Sequence, residues 1–377
     1  MTRPWSSGLS FPRHHHLHSP YQPTTSLKMT TLLSFGSNGS GQLGLSHQED
    51  VSSPSLVFTP HPSSTLPSSV AQIAAGGNHT LLLLTNNQVL YSGDSHNNNK
   101  ITPTFTPPPL PTPPPTPIRS ISATWSASHI ATPSQIWVHG HGTKGELALG
   151  SGITSATSFQ PIPNFPPSNT TIVSISASMS HAVAVLNNGQ VYGWGAGRKG
   201  QLGPEPSPAV FSPRLVSCPF PVVKALCGKE FTLLLGPPQT GECLVLGSDK
   251  FGIKSNAPSD LKGWKDAGAS WGSVILLKED GSLISWGRDD HQQLAPSDIG
   301  PVEKIAVGSE HALALTRDSK VLAWGWGEHG NCGSLEENNK ERANVIQIPD
   351  EYNLEDQEVT ALGAGCATSW IAFEKRR

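Results

Sequence analysis

Histidines recur along this chain at near-regular intervals: His79, His129, His181 and His311 each sit in or beside a short apolar run. An imidazole titrates near neutrality, so a repeated histidine could act as a general base or hold a metal. The repeat argues for something else. At the same position the other copies carry Phe231, Gly272 and Cys366. Phenylalanine and glycine have no proton to exchange, so the four histidines are expected to be buried, hydrogen-bonded structural residues. Gly140-His-Gly-Thr-Lys-Gly145 has the glycines of a phosphate cradle, but no helical pattern follows to supply an anion-binding terminus. Asp289-Asp290-His291 sets three metal-ligand types in a row and is expected to be a solvated turn. There is no hydrolase elbow, P-loop, dinucleotide loop or paired metal-ligand motif. The chain is therefore expected not to be an enzyme, with no catalytic residue, metal or cofactor.

The elements that must position these residues follow from the repeat. Apolar halves such as Ile73-Ala-Ala-Gly-Gly-Asn-His79-Thr-Leu-Leu-Leu-Leu84 alternate with Gly-rich halves such as Tyr192-Gly-Trp-Gly-Ala-Gly-Arg-Lys-Gly-Gln-Leu-Gly203. Seven copies of each recur at roughly 40–55 residues, too long for helical hairpins and suited to a four-stranded blade. The run Leu81-Leu82-Leu83-Leu84 does not alternate, as befits a strand covered on both faces. Asn86-Asn87, Asn187-Asn188-Gly189 and Glu279-Asp280-Gly281 are hairpin signals. The chain opens on a Gly-rich half near Phe35 and closes on an apolar half, Val359 to Phe373, so neither end builds a blade alone. An all-β, seven-bladed β-propeller over residues 29–377 is expected, closed by pairing of N-terminal and C-terminal strands.

Gly193-Trp194-Gly195, Trp286-Gly287 and Gly325-Trp326-Gly327 follow strand ends, where an indole can fill the wedge between blades. Trp324 already holds the repeat position, so Trp326 is extra and is a candidate for an exposed contact. The loops that break the repeat are Arg198-Lys199, Arg288-Asp289-Asp290-His291 and Trp326-Gly-Glu328-His329. Together they offer an aromatic anchor with a polar rim, the composition of a binding hot spot.

With 377 residues, a net charge of −3 and only 14% charged residues, the chain lacks the basic excess of a nucleic-acid binder, and no direct DNA binding is expected. Five cysteines without a Cys-x-x-Cys pair argue against a disulfide framework or zinc site and favour a cytoplasmic or nuclear compartment. No apolar stretch approaches the 18 or so residues of a membrane span. Residues 1–28, with four prolines and His14-His15-His16-Leu17-His18, read as a disordered N-terminal extension. Residues 102–117 read as an unpaired polyproline loop insert, either a spacer or a lure for a proline-reading domain that would make the chain a ubiquitin- or cytoskeleton-linked scaffold.

The joint pattern Ala-x-Gly-x-x-His-x-x-x-Leu and Trp-Gly-x-x-x-x-Gly-Gln-Leu-Gly resembles the regulator of chromosome condensation repeat family over residues 31–373. Three types within that family can be weighed. The founding type exchanges nucleotide on a Ran-type GTPase and has a basic N-terminal arm, whereas here that arm holds only Arg3, Arg13 and Lys28. Plant ultraviolet receptors carry Gly-Trp-Arg-His-Thr, whereas here Gly193-Trp194 and Gly325-Trp326 are each followed by Gly. The opening from Met29 to Pro54 is similar to that of the fungal alpha-tubulin suppressor type. That resemblance implies a heterodimer with a small CSL-type zinc protein, support of Elongator-dependent tRNA wobble-uridine modification, and diphthamide synthesis, with Elongator as a second contact. Guanine-nucleotide exchange on a Ran-type small GTPase is the alternative.

Overall fold

The run His79–Leu84 is a strand in which every residue is buried. His181–Leu186, Phe231–Leu235 and His311–Thr316 repeat this. Each is the second strand of its sheet and is covered by a neighbouring sheet on both faces, which is why none alternates. The computed structural model describes residues 29–59, 65–95, 100–334, 342–352 and 356–376. These form seven antiparallel sheets, five of four strands and two of three. No α-helix occurs among the described residues, only the 3-10 turns Lys250–Gly252 and Asp350–Tyr352.

The blades are numbered here by their innermost strands: Val70–Ala75 (blade 1), Ser120–Ala123 (2), Ile172–Ser178 (3), Lys224–Cys227 (4), Trp264–Ala269 (5), Val302–Val307 (6) and Gln357–Ala364 (7). Blade 7 closes the ring as expected. Its order is Val51–Leu56, Thr30–Gly36, Thr368–Lys375, Gln357–Ala364. Seven register pairs join the chain's first described strand to its last, from Thr30 opposite Glu374 to Gly36 opposite Thr368.

One backbone clamp recurs in every blade. The third strand ends on a glycine with φ between +94° and +112°: Gly36, Gly93, Gly140, Gly195, Gly247, Gly287 and Gly325. The next residue then donates its N–H to the carbonyl just before the second strand, at 2.7–3.0 Å; examples are Arg288 to Gly272, Ser248 to Glu230 and Trp326 to Glu310. A Cβ on Gly325 would lie 2.5 Å from the Glu310 oxygen. The backbone angle and the missing side chain are both required there. The glutamine of the Gly-Gln-Leu-Gly half has a matching task. The side-chain oxygens of Gln42, Gln201 and Gln293 each accept the N–H two residues back, at 2.8–2.9 Å, and Glu146 does the same at 2.7 Å.

The clamp corrects one register assignment. The residues opposite these glycines are His79, Ala127, His181, Phe231, Ser273 and His311, with Thr368 in blade 7. His129, Gly272 and Cys366 lie one or two residues away. His129 is one pleat further along, so its ring still points inward. The expectation of buried structural histidines holds for His129, His181 and His311. Their Nε2 atoms meet Glu146 O at 3.0 Å, Thr232 Oγ1 at 3.0 Å and Ser369 Oγ at 2.9 Å. Burial pushes all three down to about 4. His79 is buried and stacks on Tyr91 with centroids 5.5 Å apart.

Two further expectations meet the structure. The strand tryptophans are inter-blade core: the indole N–H groups of Trp194, Trp286 and Trp324 donate to Glu146, Ile253 and Gln293 carbonyls of the preceding blade. The Pro-rich insert is not unpaired throughout. Ile101–Thr106 is the outer strand of blade 1, with Thr102 opposite Gly93 and Thr106 opposite Tyr91. Within its sheet an outermost strand has a ladder partner on one side only, so it tolerates Pro103; Phe105 is wholly buried and its N–H donates to the Phe58 carbonyl, which anchors it. Residues 107–117 form the link to blade 2. Residues 1–28 lie outside the described residues.

Candidate functional site

The clamp fixes where function can sit. It brings the end of each third strand onto the same face as the loop between the first and second strands. The residue two before each second strand therefore falls at the mouth of the central channel: Gly77, Trp125, Met179, Trp271, Ser309 and Cys366 line it, and Lys229 lines the neighbouring pocket. Backbone bonds stitch much of this ring, from Gly77 to Trp125, Trp125 to Met179, Lys229 to Trp271, and Trp271 to Ser309. Blades 2 and 5 are not neighbours, yet Trp125 and Trp271 meet across the mouth with ring centroids 6.1 Å apart. Below them lies an axial cavity of about 580 Å³ walled by the innermost strands.

Beside this plug, blades 4 to 6 build an aromatic and charged cluster. The Arg288 guanidinium forks onto Asp290, Nε to Oδ1 at 2.6 Å and Nη2 to Oδ2 at 2.9 Å. Its Nη1 donates to Glu310 Oε1 at 2.5 Å, and Gln293 Nε2 donates to the other Glu310 oxygen at 3.0 Å. The guanidinium holds the Asp290 carboxyl well below the usual carboxylate range, and Asp290 in turn raises Arg288. Arg288 also lies 5.2 Å from the Phe251 ring centroid and 5.9 Å from that of Trp326. His291 stacks on Trp326 at 4.1 Å with the planes 9° apart. Lys229 caps Trp271 at 4.9 Å and Lys250 caps Phe251 at 4.8 Å. A cavity of about 240 Å³ opens among Lys229, Lys250, Phe251, Trp271, Arg288 and Glu310. Trp326 and Phe251 remain 38% and 40% exposed, the open aromatic surface a docking anchor requires.

Of the residues singled out from sequence, Arg288, Asp290, His291 and Trp326 come together. Asp289 sits one step away, paired with Arg342. His329 leans the other way and bonds Asp50 Oδ2 of blade 7 at 3.0 Å, and Glu328 is exposed. Arg198 and Lys199 lie on the same face at the end of blade 3's third strand, outside this cluster. Sequence reading passed over Trp125, Trp271, Phe251, Lys229, Lys250 and Glu310. The usable signal for the tryptophans was positional, since both stand two residues before a second strand where other blades have Gly, Met, Lys, Ser or Cys.

The site suits binding. Among the described residues no group of His, Cys, Asp and Glu could hold a metal ion. Burial pushes the Cys227 and Cys332 thiols up to about 12 and Cys243 to about 11, so they stay protonated at neutral pH. No described helix is long and apolar enough to cross a membrane.

Comparison with known proteins agrees with this geometry. Residues 31–371 match the RCC1-like domain. An RCC1 repeat-containing protein of Schizosaccharomyces pombe is 30% identical over 367 residues, covering 91% of this chain and 99% of its own length. The secretion-regulating guanine nucleotide exchange factor of Mus musculus is 26% identical over 372 residues, covering 82% of this chain and 76% of that protein. Among solved structures, Prp20p from Saccharomyces cerevisiae superposes with a TM-score of 0.76 at 19% identity, covering 93% of both chains, a likeness of fold.

Proposed function

The chain belongs to the RCC1-like domain family, and from that premise we propose that it is a non-catalytic docking propeller whose partner seats on the face carrying Trp326. The observation behind this is the Arg288 cluster, where the Phe251 and Trp326 rings flank a half-buried Arg288–Glu310 ion pair and stay exposed to solvent. Rigid aromatic anchors surrounded by polar groups are what protein interfaces use. The partner in this reading is a small CSL-type zinc protein, with service to Elongator-dependent wobble-uridine modification and diphthamide synthesis in the cytoplasm or nucleus. The opening segment from Met29 to Pro54 supports that choice through its similarity to the fungal alpha-tubulin suppressor type. Calorimetric titration of the chain with a purified zinc protein of that class tests it. Binding is expected, weakened by about 1–3 kcal/mol in Trp326→Ala. No heat and no co-elution would end this reading.

A second reading is guanine-nucleotide exchange on a small GTPase, favoured by the likeness to the mouse exchange factor. It requires faster release of a fluorescent guanine nucleotide from a small GTPase when the chain is added. An unchanged release rate across a panel of such GTPases removes it.

A further inference from the structure

Exposed cations crowd one side of this face, and most of them make no ion pair among the described residues. We infer that the face receives an acidic, extended polypeptide segment of the partner. The inference rests on the docking reading above and adds the partner's chemistry. Arg288 is neutralised from below by Asp290 and Glu310. By contrast Lys229 and Lys250 stand on the faces of Trp271 and Phe251 and make no ion pair among the described residues. An ammonium held on an aromatic face is oriented at little further entropic cost, and its outer side remains free for a carboxylate.

The pattern continues along the ring. The loop closing the third strand of blade 2 carries Lys144, that of blade 3 Arg198 and Lys199, and that of blade 4 Lys250 and Lys254. None of these makes an ion pair among the described residues. The carboxylates on the same loops are mostly spent. Glu146 is buried and accepts the Lys144 N–H, and Asp249 accepts the Lys254 and Ser255 N–H groups. Glu205 and Glu230 remain against six cations. On the opposite side of the face, blades 6 and 7 present Glu328 and Glu49, while Asp50 is engaged by the Asn38 N–H and His329. A segment with carboxylates running over blades 2 to 4 and an apolar side chain entering the pocket by Phe251 matches this polarity. Phosphate backbones share the charge but not the match. A nucleic acid needs cations distributed along its whole path, and blades 6 and 7 would repel it.

The probe is a fluorescein-labelled twelve-residue peptide with six Asp or Glu and one Trp, titrated into the full chain by anisotropy. A single-stranded oligonucleotide of equal charge and a peptide with the acids replaced by Lys serve as comparisons. Expected results are binding of the acidic peptide alone, at least tenfold weakening between 50 and 500 mM salt, and at least tenfold loss in the double variant Lys229→Glu, Lys250→Glu. Lys262→Glu, which lies beside the hairpin of residues 237–242 at the other end of blade 4 and pairs with Asp260, leaves binding unchanged. No binding, indifference to the double variant, or tighter binding of the oligonucleotide would overturn the inference. With the protein partner, loss in Trp326→Ala without loss in the lysine variant removes the acidic segment and keeps the docking face; loss in neither removes both.

Discussion

Replacing Gly325 by Ala and, separately, Gly203 by Ala isolates the clamp. Both glycines have strongly positive φ, +103° and +113°. A side chain there costs about 1–3 kcal/mol whatever the surroundings. Around Gly203 nothing lies within 4 Å of the added Cβ, so the cost stops there. At Gly325 the Cβ would stand 2.5 Å from Glu310 O and 2.7 Å from His311 Cα, both backbone atoms of the core. The chain can relieve that overlap only by parting the Trp326 N–H from the Glu310 carbonyl, now 2.9 Å apart. A lost bond with a buried carbonyl left unmade adds about 1–3 kcal/mol. The expected losses are about 1–3 kcal/mol for Gly203→Ala and about 2–6 kcal/mol for Gly325→Ala, the second always the larger by the lost carbonyl bond. Urea unfolding followed by tryptophan fluorescence measures both, with an unchanged m-value as the check on two-state behaviour. Gly325→Ala should also displace Trp326 and weaken the partner. Equal losses for the two variants would refute the claim that the carbonyl contact, rather than the backbone angle alone, holds these glycines in place.

Three other outcomes follow. His129, His181 and His311 are held neutral with folded values near 4 against an unfolded 6.5, so the unfolded chain binds more protons between those limits. Their stabilisation is complete above pH 6.5 and falls away towards pH 4, at up to about 1.4 kcal/mol per pH unit for each; a urea midpoint that is flat from pH 7 to 5 would contradict this. Phe105→Ala should cost about 3–5 kcal/mol because a wholly buried ring is removed from the blade 1 outer strand, whereas replacing residues 111–116 by a Gly-Ser link should leave the urea midpoint nearly unchanged. Arg288→Ala strips Glu310 of its cation in a site where the two side chains are 18% and 11% exposed. With Gln293 still bonded, about 2–3 kcal/mol should be lost, and restoration by a further Glu310→Gln change would tie the loss to the orphaned carboxylate.

Seven blades could be counted from the chain because glycine spacing is a backbone requirement, and no other residue fits the clamp at Gly195 or Gly325. Closure was legible for the same reason: Phe35-Gly36 has the pattern of a third-strand ending, and the apolar half that matches it is written at Val359 to Phe373. Histidine was a poorer ruler. Several side chains satisfy the space facing that glycine, so Ala127, Ser273 and Thr368 hold the slot without looking alike, and His129 could pass for it from two residues away. The Pro-rich stretch misled because its composition signals solvation, while Phe105 within it is a core residue. Arg198-Lys199 and Arg288-His291 were grouped by polarity, which says nothing about which blades are neighbours.

The docking cluster was only half visible for a related reason. Trp326 stood out as a surplus aromatic beside Trp324. Phe251, Trp271 and Lys229 come from three separate segments, and each is unremarkable in its own copy of the repeat. They meet because the clamp delivers Ser248 to Glu230, Arg288 to Gly272 and Trp326 to Glu310 on one face. The repeated residues are thus consumed by holding the ring together, and what remains free to vary is the stretch of up to four residues beyond each clamp glycine and the residues at the channel mouth. The docking proposal puts the partner's contacts at those positions, where the copies disagree. Exchanging Phe251, four residues past Gly247, for the serine that blade 7 carries at the same offset from Gly36 (Ser40) should therefore cost partner affinity and little stability. A loss of fold in Phe251→Ser, read by the same urea titration, would show that the cluster belongs to the scaffold after all.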